Sequence, residues 1–183
     1  MTLSIIGGLY RGKKLLSPES AAVRPTSSRS REALFNMLES HTTLKGKTIA
    51  DIYCGSGALG LEALSRGAAN ALFVDQNTLT AEKNAGLMNV TAQATFLRAD
   101  ALTLQPEKLA AYDILFMDPP YGHDLAAKTI ATHAPHLKKG TFWAVEVEAN
   151  YPLAALPFAA ANTPLKLLAK STHGAATIAV FQQ

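Results

Sequence analysis

Apolar and polar positions fall into blocks along the chain that predict repeated strand and helix units. From residue 47 onward, short apolar runs are separated by stretches with the spacing of amphipathic helices. Runs without polar alternation, such as Asp113-Ile-Leu-Phe-Met, are typical of central strands that helices cover on both faces. We therefore predict an α/β domain around a seven-stranded, mostly parallel sheet. The predicted strands are 47–53, 70–75, 94–98, 113–118, 141–147, 165–171 and 175–182, and the predicted helices are 58–66, 78–89 and 124–133.

The two ends of the chain are predicted to differ from this repeat. The last two apolar runs are joined through His173 and Gly174, which predicts an antiparallel hairpin that closes the sheet. Residues 5–15 alternate weakly and contain glycines, which predicts a small exposed β-hairpin. We therefore divide the chain into a basic N-terminal extension, residues 1–31, and a catalytic domain, residues 32–183. A helix should begin among the serines that follow Arg24-Pro25-Thr26 and bury Leu34, Phe35, Met37 and Leu38.

Composition limits the classes of protein that the chain can belong to. A length of 183 residues with 48% hydrophobic content suits one globular domain. The single cysteine, Cys54, excludes an intrachain disulfide, and burial is its expected role. No apolar stretch approaches the roughly 20 residues that a membrane-spanning helix needs. The five histidines have no recognised metal spacing, so we predict no metal. We also expect a monomer in the cytoplasm, where a chain with a single cysteine stays reduced.

Positive charge is concentrated near the N-terminus. Residues 1–31 carry six basic side chains and one acidic one, whereas the remaining residues carry 11 basic and 13 acidic ones. This asymmetry is compatible with a polyanionic partner whose phosphates these side chains neutralise, and equally with a solvated charged surface. The candidate phosphate contacts are Arg11, Lys13, Lys14, Arg24 and Arg29.

A glycine-rich turn between a predicted strand and a predicted helix is the first candidate ligand site. The segment Asp51-Ile-Tyr-Cys-Gly-Ser-Gly-Ala-Leu-Gly contains Gly55, Gly57 and Gly60 at the spacing of a dinucleotide-binding turn, with Ser56 between the first two. Such a turn lets a ligand approach the backbone closely. By itself the pattern is also compatible with a tight structural connection.

Carboxylates at the ends of three successive predicted strands narrow the choice of ligand. Asp51 would repel a pyrophosphate but attract a sulfonium and an ammonium group, which favours S-adenosylmethionine over NAD. Asp75 is placed to accept hydrogen bonds from both ribose hydroxyls. Asp100 and the backbone N–H of Ala101 are candidates for the adenine edge, although an aspartate there could simply cap a helix. Together these groups predict one crevice at the carboxyl edge of the sheet.

The tetrapeptide Asp118-Pro119-Pro120-Tyr121 follows the fourth predicted strand and is the candidate catalytic site. Two prolines make a rigid turn and remove two N–H donors, so its carbonyls and carboxylate all accept hydrogen bonds. Asp118 and the Pro119 carbonyl would accept the two hydrogens of an exocyclic base amine and stabilise the charge that develops on the nitrogen during methylation. The Tyr121 ring would stack on the flipped base. Alone, the tetrapeptide could be a structural turn.

These motifs in combination resemble the bacterial 16S ribosomal RNA guanine-N2 methyltransferases, the RsmD-like family. The resemblance covers almost the whole chain. It is carried by Ile5-Ile6-Gly7-Gly8, Arg11-Gly12-Lys13-Lys14-Leu15, Arg24-Pro25-Thr26, Arg29, Arg31-Glu32, Leu34-Phe35-Asn36, the stretch from Gly55 to Ala68, and Asp118 to Tyr121.

The resemblance implies a Rossmann-like class I methyltransferase that uses S-adenosylmethionine. The implied substrate is 16S ribosomal RNA, within an assembling small subunit, with the guanine numbered 966 as the usual target of the family. It also implies that the N-terminal hairpin helps to bind RNA and that the Arg-Pro-Thr segment lies beside the cofactor. Two other functions remain open from the residues: an adenine-N6 methyltransferase acting on DNA or RNA, and an RNA-binding assembly factor without turnover.

Overall fold

Seven strands form one mixed sheet in the computed structural model, which describes residues 3–17, 28–122, 124–153, 156 and 164–183. Their order is β3-β2-β1-β4-β5-β7-β6; β1 to β5 are parallel, and β7 is antiparallel to both of its neighbours. The predicted sheet and its C-terminal hairpin are therefore confirmed. The strands are β1 Thr48–Ile52, β2 Asn70–Asp75, β3 Ala94–Arg98, β4 Ile114–Met117, β5 Phe142–Glu148, β6 Lys166–His173 and β7 Ala176–Gln182.

Helices cover both faces of the sheet because the strands are apolar on both sides. Phe73 and Phe116 pack into one buried cluster, whereas their chain neighbours Leu72 and Leu115 pack into the other. The first cluster includes residues of α1, α2 and α3, and the second includes residues of α4. The helices are α1 Ser28–Glu39, α2 Ala58–Ser65, α3 Leu79–Leu87 and α4 Leu125–His133.

The strand order reverses between β1 and β4. Strands β2 and β3 lie on one side of β1, while β4 and β5 lie on the other. In open α/β sheets, ligands bind outside the carboxyl ends of the strands at such a switch point. The glycine-rich turn follows β1 and the Asp118 turn follows β4, so the topology brings both candidate sites to this position.

The N-terminal arm, residues 3–17, is more integrated than the sequence predicts. Its two halves pair antiparallel, as the predicted hairpin requires: a bridge joins Ser4 to Lys14, and the Ile5 and Leu15 N–H groups donate to the Lys13 and Leu3 carbonyls, each over 2.9 Å. Leu3, Ile5 and Leu15 are buried in the cluster that covers β1 and α2, whereas the tip of the arm and the residues on either side of Leu15 are exposed. The weak alternation of this segment therefore reflects side chains that enter the core, and the predicted division at residue 31 falls within α1.

Candidate cofactor and substrate site

The glycine-rich turn after β1 adopts the backbone conformations that glycine permits. Gly55 and Gly57 have φ angles of 51° and 77°, and Tyr53 shares the left-handed region at 63°. A Cβ atom built on Gly55 would meet nothing within 4 Å, so this side of the turn faces open space. A Cβ atom on Gly57 would lie 3.0 Å from the Ala81 side chain. The turn thus has one open side and one packed side.

A hydrogen bond between Gly60 and Asp51 joins α2, which follows the turn, to β1, which precedes it. A Cβ atom on Gly60 would collide with the ring of Phe73, which is fully buried. The Gly60 N–H donates to Asp51 Oδ2 over 2.8 Å. Asp51 is 1% exposed, and its pKa is raised well above the usual range by burial, opposed by the Gly60 hydrogen bond and reinforced by the charges of Asp118 and Asp75. The contact that the structure gives Asp51 is therefore with the first turn of α2.

Asp75 lies at the end of β2 and is half-buried beside the same turn. Its Oδ2 accepts the Gly55 N–H over 2.9 Å, and its Oδ1 accepts the Asn77 N–H over 3.0 Å. Carboxylate oxygens have two acceptor sites each, so these bonds leave acceptor capacity on both atoms. Asp75 therefore fixes the glycine turn while keeping the capacity to bind hydroxyl groups.

Asp100 and Ala101 follow β3 and form a tight turn. Asp100 Oδ1 accepts the Leu102 N–H over 2.9 Å, which is the local capping role that an aspartate can have at this position. The Ala101 carbonyl accepts a hydrogen bond from Nε2 of the buried His133 over 2.8 Å. The turn therefore follows β3 in the chain and is bonded to α4 through His133. A contact of Asp100 or Ala101 with adenine stays a prediction.

Asn84 connects the N-terminal arm to the glycine turn, and sequence reasoning missed it. This α3 residue is fully buried. Its side-chain amide donates to the Leu16 carbonyl over 3.0 Å and to the Ser56 carbonyl over 2.8 Å, and its oxygen accepts the Leu16 N–H over 2.7 Å. One amide therefore ties the end of the arm to the candidate cofactor turn.

The Asp118 turn borders an open cleft at the carboxyl ends of β4 and β5. Tyr121 is 42% exposed, which leaves ring surface for stacking, whereas Pro119 is buried. The Tyr121 hydroxyl donates to Glu146 Oε1 over 3.4 Å, and burial, followed by the charges of Glu146 and Asp118, raises its pKa. The cleft is open to solvent and is lined by Pro119 to Gly122, Asp124 to Ala126, Val147, Glu148 and Tyr151.

Four of the five predicted phosphate contacts lie in described parts of the chain, and all four are exposed. Arg11, Lys13 and Lys14 lie on the N-terminal arm, and Arg29 lies in the first turn of α1. Arg24 lies outside the described residues, as do Pro25 and Thr26. The exposed positions leave the cationic groups accessible to a polyanion, and their contact with RNA stays a prediction.

The remaining expectations from the sequence concern Cys54, metal ligands and membrane-spanning helices. Cys54 is buried, and burial raises the pKa of its thiol. Within the described ranges, no three histidine, cysteine or acidic side chains converge as metal ligands. No helix in this part of the chain is both long and apolar enough to cross a bilayer.

Solved structures share this architecture along the whole chain. The structure of yhhF from Escherichia coli superposes with a TM-score of 0.84 and 31% identity, covering 100% of this chain and 98% of that one. HI0767 from Haemophilus influenzae, described as a methylase, has a TM-score of 0.77 and 29% identity, again over 100% of this chain. The strand order and these neighbours define the fold as that of the class I S-adenosylmethionine-dependent methyltransferases.

The chain belongs to the family described as conserved hypothetical protein 95, which matches residues 3–182. Proteins named ribosomal RNA small subunit methyltransferase D are similar in sequence. The one from Escherichia coli K12 is 37% identical over 70% of this chain and 65% of its own length, slightly under two thirds. The one from Haemophilus influenzae is 34% identical over 81% of this chain and 80% of its own. The resemblance drawn from the sequence motifs is therefore confirmed.

Proposed function

We propose that this protein transfers a methyl group from S-adenosylmethionine to the exocyclic N2 of a guanine in small-subunit ribosomal RNA, at the position equivalent to guanine 966. The observation that carries the proposal is the pair of turns at the switch point. A glycine turn with one open side follows β1, and a rigid acceptor turn bordering a cleft follows β4. The names of the similar proteins support ribosomal RNA of the small subunit as the substrate.

The residues after β1 and β2 fit S-adenosylmethionine. The open side of Gly55 gives room for a ligand, and the half-buried carboxylate of Asp75, with spare acceptor capacity, suits ribose hydroxyls. Asp51, Asp75 and Asp118 are close enough for their charges to interact, so the pocket has a negative potential that favours a cation. When bound, the cofactor supplies an electrophilic methyl group on a sulfonium.

The Asp118 turn would activate the amine. The lone pair of the guanine N2 is delocalised into the ring, so the nitrogen must pyramidalise before it attacks the methyl carbon. Acceptors at Asp118 and at the Pro119 carbonyl would hold its two hydrogens, localise the lone pair and stabilise the positive charge that forms on nitrogen. The new N–C bond replaces the S–C bond, and the methylated ammonium loses one proton to Asp118 or to water. Tyr121 would hold the base by stacking.

The direct test is to map the product. Purified protein and labelled S-adenosylmethionine would be incubated with small-subunit RNA, both free and assembled with ribosomal proteins, and the modified nucleotide located by mass spectrometry. We expect one N2-methylguanine and a preference for the protein-bound RNA. N6-methyladenine in RNA or DNA would support the adenine methyltransferase instead, and tight RNA binding without any methyl transfer would support an assembly factor.

Asp51→Asn should weaken binding of S-adenosylmethionine by about tenfold and that of S-adenosylhomocysteine by much less. The asparagine oxygen can still accept the Gly60 N–H, but the charge that attracts the sulfonium is lost. Isothermal titration calorimetry with both compounds measures the difference. Equal losses for the two ligands would show that Asp51 does not act through the sulfonium, because both ligands carry the same ammonium group.

The same substitution should increase stability at neutral pH. Because the pKa of Asp51 is raised in the folded protein above its usual 3.8, its contribution to stability is greatest in acid and declines as the pH rises through the raised value. The variant lacks this decline. Denaturant unfolding of both proteins at pH 4 and pH 7 provides the internal control, and a difference independent of pH would contradict the expectation.

Neutralising Arg11, Lys13 and Lys14 together to glutamine should weaken RNA binding and flatten its salt dependence. If all three contact phosphates, the slope of log affinity against log salt should fall by about 2. Filter binding across a salt series measures the slope. Because these side chains are exposed, folding should be unaffected. Lys108→Gln, on an exposed residue of the catalytic domain, is the control, and an unchanged slope in the triple variant would exclude the arm from the interface.

A further inference from the structure

The cleft beside the Asp118 turn is lined by two tyrosines, Tyr121 and Tyr151, and by two acidic residues, Glu148 and Asp124. The Tyr121 and Tyr151 side chains both line it, one from the turn after β4 and the other from the turn after β5. Glu148 lines the same cleft at the end of β5. The Tyr151 N–H donates to the Glu148 carbonyl over 2.9 Å, so a tight turn fixes the two residues relative to each other. Sequence reasoning placed neither Glu148 nor Tyr151 in a site.

Glu148 is held at the catalytic turn. Its Oε1 accepts the Gly122 N–H over 2.6 Å, immediately after Tyr121. Its carboxylate is half-buried and belongs to the cleft lining that includes Pro119 and Pro120. A carboxylate has about four acceptor sites, so the bond to Gly122 leaves capacity for a ligand.

The edges of guanine and adenine differ where such a carboxylate would meet them. Next to its exocyclic amine, guanine carries a donor, N1–H, whereas adenine carries an acceptor, the N1 lone pair. When the two hydrogens of the guanine amine are held by Asp118 and the Pro119 carbonyl, N1–H is the next donor along the edge. A carboxylate at that point binds guanine and repels adenine, because the N1 lone pair of adenine would face a second acceptor that carries a negative charge.

We propose that this cleft is the guanine pocket, in which Glu148 accepts the N1–H of the target base and Tyr151 forms the wall opposite Tyr121. This inference rests on the proposed function and adds to it the residue that selects guanine over adenine. Stacking between two rings is independent of base identity, so selection falls to the carboxylate. The Glu148 bond to Gly122 also links the acceptor to the catalytic turn.

The sharpest test replaces the base and leaves the reacting amine in place. 2-Aminopurine has the same exocyclic 2-amino group as guanine, but its N1 is an acceptor and it lacks the O6 carbonyl, so the Glu148→Gln variant is needed to assign the difference to N1. Small-subunit RNA carrying guanine or 2-aminopurine at the mapped position, introduced by ligation and assembled with ribosomal proteins, would be methylated by the wild-type protein. We expect kcat/KM to fall by on the order of 100-fold for 2-aminopurine. This comparison requires no variant to fold.

Glu148→Gln should reduce that preference. Its amide oxygen keeps an acceptor for Gly122, and its NH2 group offers a donor that suits the N1 of 2-aminopurine. The ratio of kcat/KM for guanine over 2-aminopurine should fall by at least about tenfold. Glu107→Gln, the same change at an exposed glutamate outside the cleft, is the matched control and should leave the ratio unchanged.

Tyr151 should contribute to holding the base without selecting it. Tyr151→Ala should raise KM for the guanine substrate by about 10- to 100-fold, with a much smaller change for Tyr151→Phe. A wild-type protein that methylates guanine and 2-aminopurine equally, or an unchanged ratio in a folded Glu148→Gln variant, would overturn the inference while leaving the proposed function intact. Absence of guanine methylation by the wild-type protein would overturn both.

Discussion

Asp118→Ala should lower the rate of methyl transfer by about 10²- to 10³-fold while the protein keeps its affinity for S-adenosylhomocysteine. The reacting amine loses the acceptor that localises its lone pair, and the cationic nitrogen loses the adjacent charge. The cofactor turn is held by separate contacts, from Asp51 to Gly60 and from Asp75 to Gly55, which the substitution leaves in place. Single-turnover transfer of labelled methyl groups measures the rate, and calorimetry measures the affinity.

Two further variants separate the chemistry of Asp118 from its effect on structure. Asp118→Asn keeps one acceptor oxygen without the charge, so its rate should lie between those of the wild type and Asp118→Ala. Tyr121→Phe keeps the ring and loses only the hydroxyl bonded to Glu146, so it should be closer to wild type than Tyr121→Ala. Unchanged turnover in Asp118→Ala would exclude the proposed activation of the amine.

The sequence predicted the sheet because its central strands are apolar on both faces. Runs such as Ile114–Met117 lack alternation and are bounded by polar residues, so the strand limits agree to within two residues. The candidate site followed from topology. Since the carboxyl ends of parallel strands meet at one edge, the sequence predicted one crevice for Asp51, Asp75 and Asp100. In the structure the charges of Asp118 and Asp75 act on Asp51, and the contact of Asp100 with a ligand stays a prediction.

Sequence patterns could not show the contacts made across the fold. Asn84 lies in a helix and looks like a solvated polar residue, yet its partners Leu16 and Ser56 are 68 and 28 positions away. Glu148 ends a buried strand, and nothing in its neighbourhood indicates that its carboxylate meets the turn after β4. Periodicity predicts which face of an element is buried but does not identify the partner of a polar group.

The glycine motif illustrates a different limit. Its spacing predicted contacts with a ligand at all three glycines. In the structure only Gly55 faces open space, while Gly57 packs near Ala81 and Gly60 against Phe73. A glycine required by close packing and a glycine required by a ligand leave the same letter in the sequence. The close packing of Gly60 against Phe73 also brings the Gly60 N–H, in the first turn of α2, within hydrogen-bonding distance of Asp51.

The N-terminal arm is docked on α2 through a buried glutamate that sequence reasoning did not single out. Glu62 is fully buried, and its two oxygens accept the N–H groups of Ile6 and Gly7, each over 2.7 Å. Its Oε1 also accepts Arg66 Nε over 2.9 Å, and its Oε2 lies 3.8 Å from Nε of the buried Arg31. One carboxylate therefore compensates two backbone donors and faces two guanidinium groups.

Glu62→Ala should reduce the free energy of unfolding by about 3 to 5 kcal/mol, because it leaves the buried Arg31 without its opposing charge and two backbone donors without an acceptor. Urea unfolding measures the loss. Glu39→Ala is the control, because Glu39 bonds to the same Arg66 at a partly exposed position and its removal should cost at most about 1 kcal/mol.

Docking of the N-terminal arm on α2 also has a consequence for function. The helix that carries Glu62 starts directly after the glycine turn, and Asn84 ties the end of the arm to Ser56 in that turn. A Glu62→Gln variant has only one side-chain oxygen to accept the N–H groups of Ile6 and Gly7, so the arm should be misplaced even when the protein folds. RNA affinity should then fall although Arg11, Lys13 and Lys14 are intact. A variant that is destabilised but binds RNA with wild-type affinity and salt dependence would show that docking of the arm serves the fold alone.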